Sequence, residues 1–396
     1  MRLSKRKRAY PLTFLVIGVM LAAGLSAGAA EQASGAIPDM SGKILTVSGP
    51  IDPSELGPTL MHEHIFIYFT GVAPKDGYLY RTGYHRPHER ITAATDLDSY
   101  SEPLSFKNLG ALRRGLLVSR DNFTLTDLDL AIEEVLHFKR WGGKSMVDVT
   151  SIGLGRDPEA LRQVANSTGL NIVMGGGYYI KSLHPLDMDE RTVEELAQGM
   201  IRDVTLGAEG TSIRSGIIGE IGVGGNPLSA NEMKSIRASA RAGRATGVPI
   251  LFHGGGRGEE KFTVLDAVAS EGLDLNRVIM GHAPASDLPL ARRLLERGVY
   301  LEFETIPPYL AHLGNIIQLI REGWAHRLLF AHDVCQKQQL KAYGGWGYSF
   351  VMEFVLPELK RQGVTDDQIE KIMVENPRRV LTFAPPAPLQ GRGTIK

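Results

Sequence analysis

From Thr59 to Asp333 the chain repeats one pattern of polarity: a short apolar run rich in β-branched residues, then a longer stretch with an apolar residue every three or four positions. The apolar runs occupy residues 59–67, 145–150, 171–176, 216–221, 248–253, 277–282, 299–303 and 327–333, and their length and composition predict buried strands. The periodic stretches predict helices over 125–141, 158–168, 192–206, 230–246, 263–271, 288–297 and 365–374. Eight strands alternating with helices predict an α/β fold in which a parallel sheet closes on itself, the single-domain (β/α)8 TIM barrel. No low-complexity linker interrupts residues 43–383, so one domain is expected over 36–385, with 386–396 as a C-terminal tail. The stretch 70–122 is long for a βα connection and mixes Gly, Pro, Tyr and Arg. It predicts an excursion over the active face of the barrel.

The N-terminus breaks the pattern. Arg2, Lys5, Arg6, Lys7 and Arg8 precede an apolar run from Leu12 to about Leu25, and Ala27-Gly28-Ala29-Ala30 follows. Basic, apolar and small segments in that order predict a signal peptide over 1–30, cleaved near Ala29 or Ala30, and export to the periplasm or beyond. The apolar run is shorter than the roughly 20 residues that span a bilayer, so no membrane span is expected after cleavage. An uncleaved anchor is the alternative.

Composition removes several classes of partner. Among 396 residues Lys+Arg and Asp+Glu each total 44, so no global charge field favours nucleic acid or a polyanion. A small molecule bound at a local site is the expected partner. The single cysteine, Cys335, excludes an intramolecular disulfide and reads as a small buried filler, because no acid–base partner is evident beside it.

The ligand-type residues change the picture most. His62 and His64 stand two apart in the first strand, so alternation points both to one side. Glu220, His253, His282 and Asp333 each end an apolar run, which in a parallel barrel is the strand end facing the catalytic mouth. Imidazole and carboxylate suit zinc and similar divalent ions. Two such ions about 3.5–4 Å apart, bridged by a carboxylate, supply a hydroxide near neutral pH and polarise a carbonyl or phosphoryl oxygen. That chemistry is hydrolysis. His332 should point away from the barrel interior and is expected to support or pack rather than ligate. His85, His88, His137, His184, His312 and His326 fall in loops or helices and read as surface residues.

Gly57-Pro58-Thr59-Leu60-Met61-His62-Glu63-His64, Val147-Asp148-Val149-Thr150, Gly219-Glu220-Ile221-Gly222, Gly281-His282 and Ala331-His332-Asp333 occur in an order that resembles the phosphotriesterase-like family of the amidohydrolase superfamily. Asp121-Asn122-Phe123, Gly153-Leu154-Gly155-Arg156-Asp157 and Glu375-Asn376-Pro377-Arg378-Arg379 extend the resemblance over essentially the mature chain. It implies that His62, His64 and Asp333 hold a buried ion, that His253 and His282 hold a more exposed one, and that Glu220 bridges them. Asp333 and Glu220 are then the catalytic residues, with Asp333 accepting a proton from the attacking hydroxide. A bridging glutamate is similar to the phosphotriesterase-homology branch rather than to members that bridge through a carboxylated lysine. Ala283-Pro284-Ala285 stands where the organophosphate-hydrolysing members carry acidic proton-relay residues. A homodimer is a further implication of the resemblance.

These readings predict a binuclear metal hydrolase, with zinc as the expected metal, that uses a bridging hydroxide to cleave a lactone or other carboxylic ester. Phosphotriester or phosphodiester hydrolysis is the alternative, and a non-catalytic metal-containing binding protein is the alternative of another class. Tyr343-Gly344-Gly345-Trp346-Gly347-Tyr348, after the eighth strand, is expected either to wall an apolar ligand or to cap the barrel. Tyr178 and Tyr179 read equally as packing or as phenols within reach of a substrate oxygen. Gly254-Gly255-Gly256 is expected to clear space near the metals.

Overall fold

In the computed structural model, residues 39–68, 79–83, 86–91, 102–114, 119–225, 227–254, 258–304 and 310–387 are described. The expected signal peptide, most of the stretch 69–101 and the tail from 388 onward lie outside the described residues. Eight parallel strands form the barrel: β1 (Thr59–Glu63), β2 (Ser145–Asp148), β3 (Asn171–Met174), β4 (Ile218–Ile221), β5 (Ile250–Phe252), β6 (Val278–Met280), β7 (Tyr300–Phe303) and β8 (Leu328–Phe330). Ladders link β1 through β3 and β4 through β8. Gly176 and Gly219 exchange N–H···O bonds of 2.9 and 2.7 Å that join the end of β3 to β4. The Asp333 N–H donates to the His62 carbonyl at 3.1 Å and the His64 N–H to the Val334 carbonyl at 3.2 Å, which closes the ring from β8 to β1.

The helices are α1 (Leu128–Arg140), α2 (Pro158–Thr168), α3 (Val193–Thr205), α4 (Ala230–Thr246), α5 (Glu260–Ser270), α6 (Leu288–Glu296), α7 (Leu313–Arg321) and α8 (Leu356–Arg361). Local chemistry sets their ends. Asp157 caps α2 by accepting the Ala160 N–H, Pro158 starts it, and Gly169 at φ 67° stops it. No helix is expected between β7 and β8 from the pattern of polarity, yet α7 is there, burying Leu313, Ile316, Ile317 and Ile320. Gly314 in its first turn weakens the helical signal. The helix expected over 365–374 is a helical turn, Asp366–Glu370, that runs through a π-turn into Asn376–Leu381.

Buried side chains alternate along the strands between two layers. Met61, Val147, Val173, Ile217, Leu251, Ile279, Tyr300 and Leu329 fill the barrel interior, and their strand neighbours pack outward on the helices. Ile44, Leu56, Val380 and Leu381 join the interior cluster. Two strands then depart from strict alternation. The pairing of β1 with β2 shifts between Leu60 and Glu63, and that of β4 with β5 between Ile218 and Ile221, so each strand carries one extra residue. A bulge of this kind re-aims the residues after it. Here it turns His62 inward after Met61, and Glu220 inward after Ile217.

Part of the 70–122 excursion is visible. Helix Phe106–Arg113 buries Leu109 and Leu112 with Leu104 against Tyr343, and Arg113 donates to the carbonyls of Gln338 and Tyr343 at 3.1 and 2.7 Å. It therefore lies on the loop that follows β8. Among the described residues no helix is long and apolar enough to cross a membrane.

Candidate metal centre

The C-terminal strand ends bring all six expected ligands together. His62 lies within β1 and Glu220 within β4, while His64, His253, His282 and Asp333 lie one to three residues past the ends of β1, β5, β6 and β8. His282 and Asp333 sit at φ 44° and 55°, left-handed backbone that His and Asp tolerate better than most side chains. Each such position costs on the order of 1–3 kcal/mol and persists where surrounding structure enforces it.

Two ligand groups result. In one, His62, His64 and Asp333 converge, and in the other Glu220, His253 and His282 do, with the ligand atoms of each group within 4.8 Å of one another. Glu220 reaches both. Its Oε1 lies 3.6 Å from His62 Nε2 and 3.5 Å from His282 Nε2, it contacts His253 Nδ1 directly, and its Oε2 lies 3.8 Å from His64 Nε2. Asp333 Oδ1 faces His64 Nε2 at 3.3 Å and His62 Nε2 at 3.8 Å.

Neighbouring groups decide which nitrogen each histidine offers. The Thr150 hydroxyl donates to the Phe66 carbonyl at 2.9 Å, so its oxygen accepts the His64 Nδ1–H at 2.9 Å and leaves Nε2 to the site. Asp148 takes the N–H of Ile65 at 2.6 Å and of Thr150 at 3.0 Å, which fixes both segments beside His64. His62 Nδ1 bonds Glu302 at 2.9 Å, and His282 Nδ1 contacts Glu304. His62 Nε2, fully buried, has no hydrogen-bond partner among the described residues.

That orphaned nitrogen, and a donor set of four imidazoles and two carboxylates, fit two divalent ions. Burial works against a charge on His62, but Glu220, Glu302 and Asp333 outweigh it and push its pKa up to about 10. Burial would also raise the Glu220 carboxyl, yet His253 and His62 hold it well below its usual range. The carboxylates of the centre thus favour positive charge among them, which protonated imidazoles or bound cations can supply. When bound, such ions polarise a carbonyl and make water a nucleophile near neutral pH.

Residues 42–381 match the phosphotriesterase family. The chain belongs to it. The human N-acetyltaurine hydrolase is 34% identical over 363 residues, covering 87% of this chain and 99% of that one. The crystal structure of a resiniferatoxin-binding protein from Rhodobacter sphaeroides superposes with a TM-score of 0.76 at 36% identity, covering 86% of this chain and 95% of that one. The phosphotriesterase homology protein of Escherichia coli, solved with phosphate in its active site, gives 0.68 at 26% identity, covering 84% and 100%. Phosphotriesterase-family proteins are (β/α)8 barrels with binuclear metal centres, and this chain is a metal-dependent hydrolase with candidate ligands for such a centre.

The remaining expected residues separate cleanly. His332 is fully buried outside the ligand groups and bonds Glu63. His326 is exposed, whereas His137, His184 and His312 are half-buried rather than on the surface, and His184 Nε2 bonds the Tyr179 carbonyl at 2.7 Å. His85 and the His88 side chain lie outside the described residues. Tyr179 reaches the site, with its hydroxyl 3.2 Å from His253 Nδ1. Tyr178 instead accepts a bond from Arg191 at 3.3 Å. Tyr348 is buried and donates to the His64 carbonyl at 3.1 Å, while Tyr343 and Trp346 are half-buried against the core, so this loop caps the barrel. Asp121 and Asn122 hold the same loop through Lys337 at 2.6 Å and the Gln338 N–H at 2.9 Å. Cys335 is half-buried beside Asp333, and burial with that carboxylate pushes its thiol well up, so it stays protonated. A Cβ at Gly254 would fall 1.7 Å from the Gly281 carbonyl oxygen, so only glycine lets the ends of β5 and β6 approach. Gly255 and Gly256 lie outside the described residues.

Glu302 and Glu304 escape the sequence reading. The signal was available: two carboxylates two apart at the end of an apolar strand, on the face that Tyr300 turns inward.

Proposed function

We propose that the chain hydrolyses an acyl bond of a small molecule, with the amide of an N-acylated amine as the first reading and zinc as the metal. The observation that supports it is Glu220, a buried carboxylate reaching both ligand groups, in a chain 34% identical to an N-acetyltaurine hydrolase along 99% of that enzyme's length.

Asp333 moves the proton in this reading. Its carboxylate takes one from the attacking water and delivers it to the leaving nitrogen as the C–N bond breaks and the carbonyl carbon keeps the water oxygen. An amide needs that delivery, because an amine leaves protonated. Tyr179, whose phenol burial holds well above its usual pKa, stays a donor beside His253 and can hold the carbonyl oxygen as it gains charge. Lactones and other carboxylic esters present the same carbonyl to the same groups. Phosphotriesters fit less well, since the residues that follow His282, Ala283 and Ala285, are buried and apolar and relay no proton.

The test is one panel on zinc-loaded protein: N-acetyltaurine and other N-acetyl amines, a set of lactones, and an aryl phosphotriester. Amide turnover with the highest kcat/KM supports the proposal. Preference for lactones returns the ester reading, turnover of the phosphotriester alone overturns both, and no turnover at full metal loading returns the binding-protein reading.

We also propose export through residues 1–30. N-terminal sequencing of protein recovered from an expressing cell should begin near residue 30; an intact start would overturn cleavage.

A further inference from the structure

Strand β7 reads as apolar, yet it and the residue after it send two carboxylates toward the candidate metal centre. Glu302 and the next inward residue, Glu304, are fully buried. Glu302 Oε2 takes His62 Nδ1 at 2.9 Å, and Glu304 Oε1 pairs with His282 Nδ1. Both histidines are left to present Nε2: that of His62 faces Glu220 and Asp333, and that of His282 faces Glu220 and His253. The two histidines belong to different ligand groups. Among the described residues their partners within each group have no such backing: His64 is oriented by the neutral Thr150 hydroxyl, and the His253 Nδ1 is shared by Glu220, Tyr179 and His282. Each group therefore contains one histidine backed by a carboxylate.

Beyond the histidines, Glu304 also feels the buried Lys261 ammonium. Glu302 Oε1 and both Glu304 oxygens have no hydrogen-bond partner among the described residues, and Glu304 Oε1 meets His282 Nδ1 as an ion pair. Glu63, equally buried, accepts three N–H bonds. A buried carboxylate without donors is costly unless it is paired, so these two are placed to serve the histidines they touch.

We propose that Glu302 and Glu304 are positioning residues that divide the two-ion centre between them. Glu302 sets the affinity of the His62–His64–Asp333 group, and Glu304 sets that of the Glu220–His253–His282 group. The inference rests on the site being a two-ion centre. A carboxylate that accepts the Nδ1 proton fixes the tautomer and makes Nε2 a stronger donor to metal. Neither residue touches the reacting atoms in this role, so metal retention changes before chemistry does.

The experiment titrates chelator-stripped wild type, Glu302→Gln and Glu304→Gln with Zn2+ in competition with a chromophoric chelator, and compares visible spectra of samples given Co2+. Wild type is expected to take up two equivalents. Each variant should keep one at wild-type affinity and bind the other about 10- to 100-fold more weakly. With one equivalent of Co2+ the two variants should differ in spectrum, because different ligand groups stay filled, and saturating Zn2+ should restore most activity. Unchanged affinities in both variants overturn the proposal. So do identical single-equivalent spectra, or a third equivalent in wild type, which would make the buried His62–Glu302–Glu304 group a cation site in its own right. Fewer than two equivalents in wild type overturn the two-ion reading itself. Should Glu302→Gln fail to fold, Glu302→Asp, which keeps the charge but withdraws it from His62, carries the same test.

Discussion

Glu63 and His332 form a buried pair in which the imidazole Nδ1–H and the backbone N–H of His332 both donate to Glu63 Oε1 at 2.8 Å. Glu63 Oε2 takes the Val334 N–H at 3.1 Å, so one carboxylate from β1 grips both chain neighbours of Asp333. His332 Nε2 accepts the Val351 N–H at 2.9 Å, which fixes its neutral tautomer and ties the grip to the segment behind β8. Glu63→Gln turns one acceptor into a donor facing N–H groups. It should lower unfolding free energy by roughly 1–3 kcal/mol in urea denaturation and, by releasing Asp333, lower kcat on the order of 100-fold. Unchanged kcat would mean that other contacts place Asp333.

Glu220→Ala removes a side chain that reaches both ligand groups. Elemental analysis after dialysis should show both metal equivalents lost, and activity with them. A variant that retained two ions and full turnover would remove Glu220 from the bridging position.

Tyr179→Phe deletes a hydroxyl 3.2 Å from His253 Nδ1 without changing the ring's bulk. Metal content should stay as in wild type while kcat falls on the order of 100-fold, the scale of a lost oxyanion donor. Equal kcat in the two proteins would assign the ring to packing.

Lys261 carries a pH signature. Burial lowers its pKa from 10.5 to about 8, against the pull of Glu304, and its ammonium donates to the Gly254 carbonyl. A lysine with a depressed folded pKa penalises folding fully below pH 8. Between 8 and 10.5 the unfolded chain binds more protons, so stability rises with pH, and above 10.5 the penalty is gone. Relative to Lys261→Met, metal-free wild type should therefore gain on the order of 3 kcal/mol across that window in urea denaturation. The bond to Gly254 weakens when the ammonium becomes a neutral amine, and that change is part of the titration being read. A flat difference would show that Lys261 does not titrate in that range.

Much of this protein was legible along the chain because a closed barrel repeats one rule. All eight apolar runs contain a barrel strand, and helices 158–168 and 230–246 fall where periodicity and caps place them. Six of the eight strands end one to four residues short of the runs predicted for them, while β4 and β7 end with theirs, since the last residues of several runs leave the ladder to turn inward: His253 by one residue, His282 and Asp333 through left-handed backbone.

Sequence by itself determined the strands, the single domain and the six residues that cluster, because each is a local event: an apolar run, a cap, a polar side chain where the run stops. The tertiary structure decided how those side chains are aimed and held. Alternation continued from Met61 would turn His62 outward; the bulge against β2 turns it in. Glu302 reaches His62 across 240 positions and Glu63 reaches His332 across 269. No local pattern encodes such pairs, because they exist only when the barrel closes and burial removes the water that would otherwise satisfy each group.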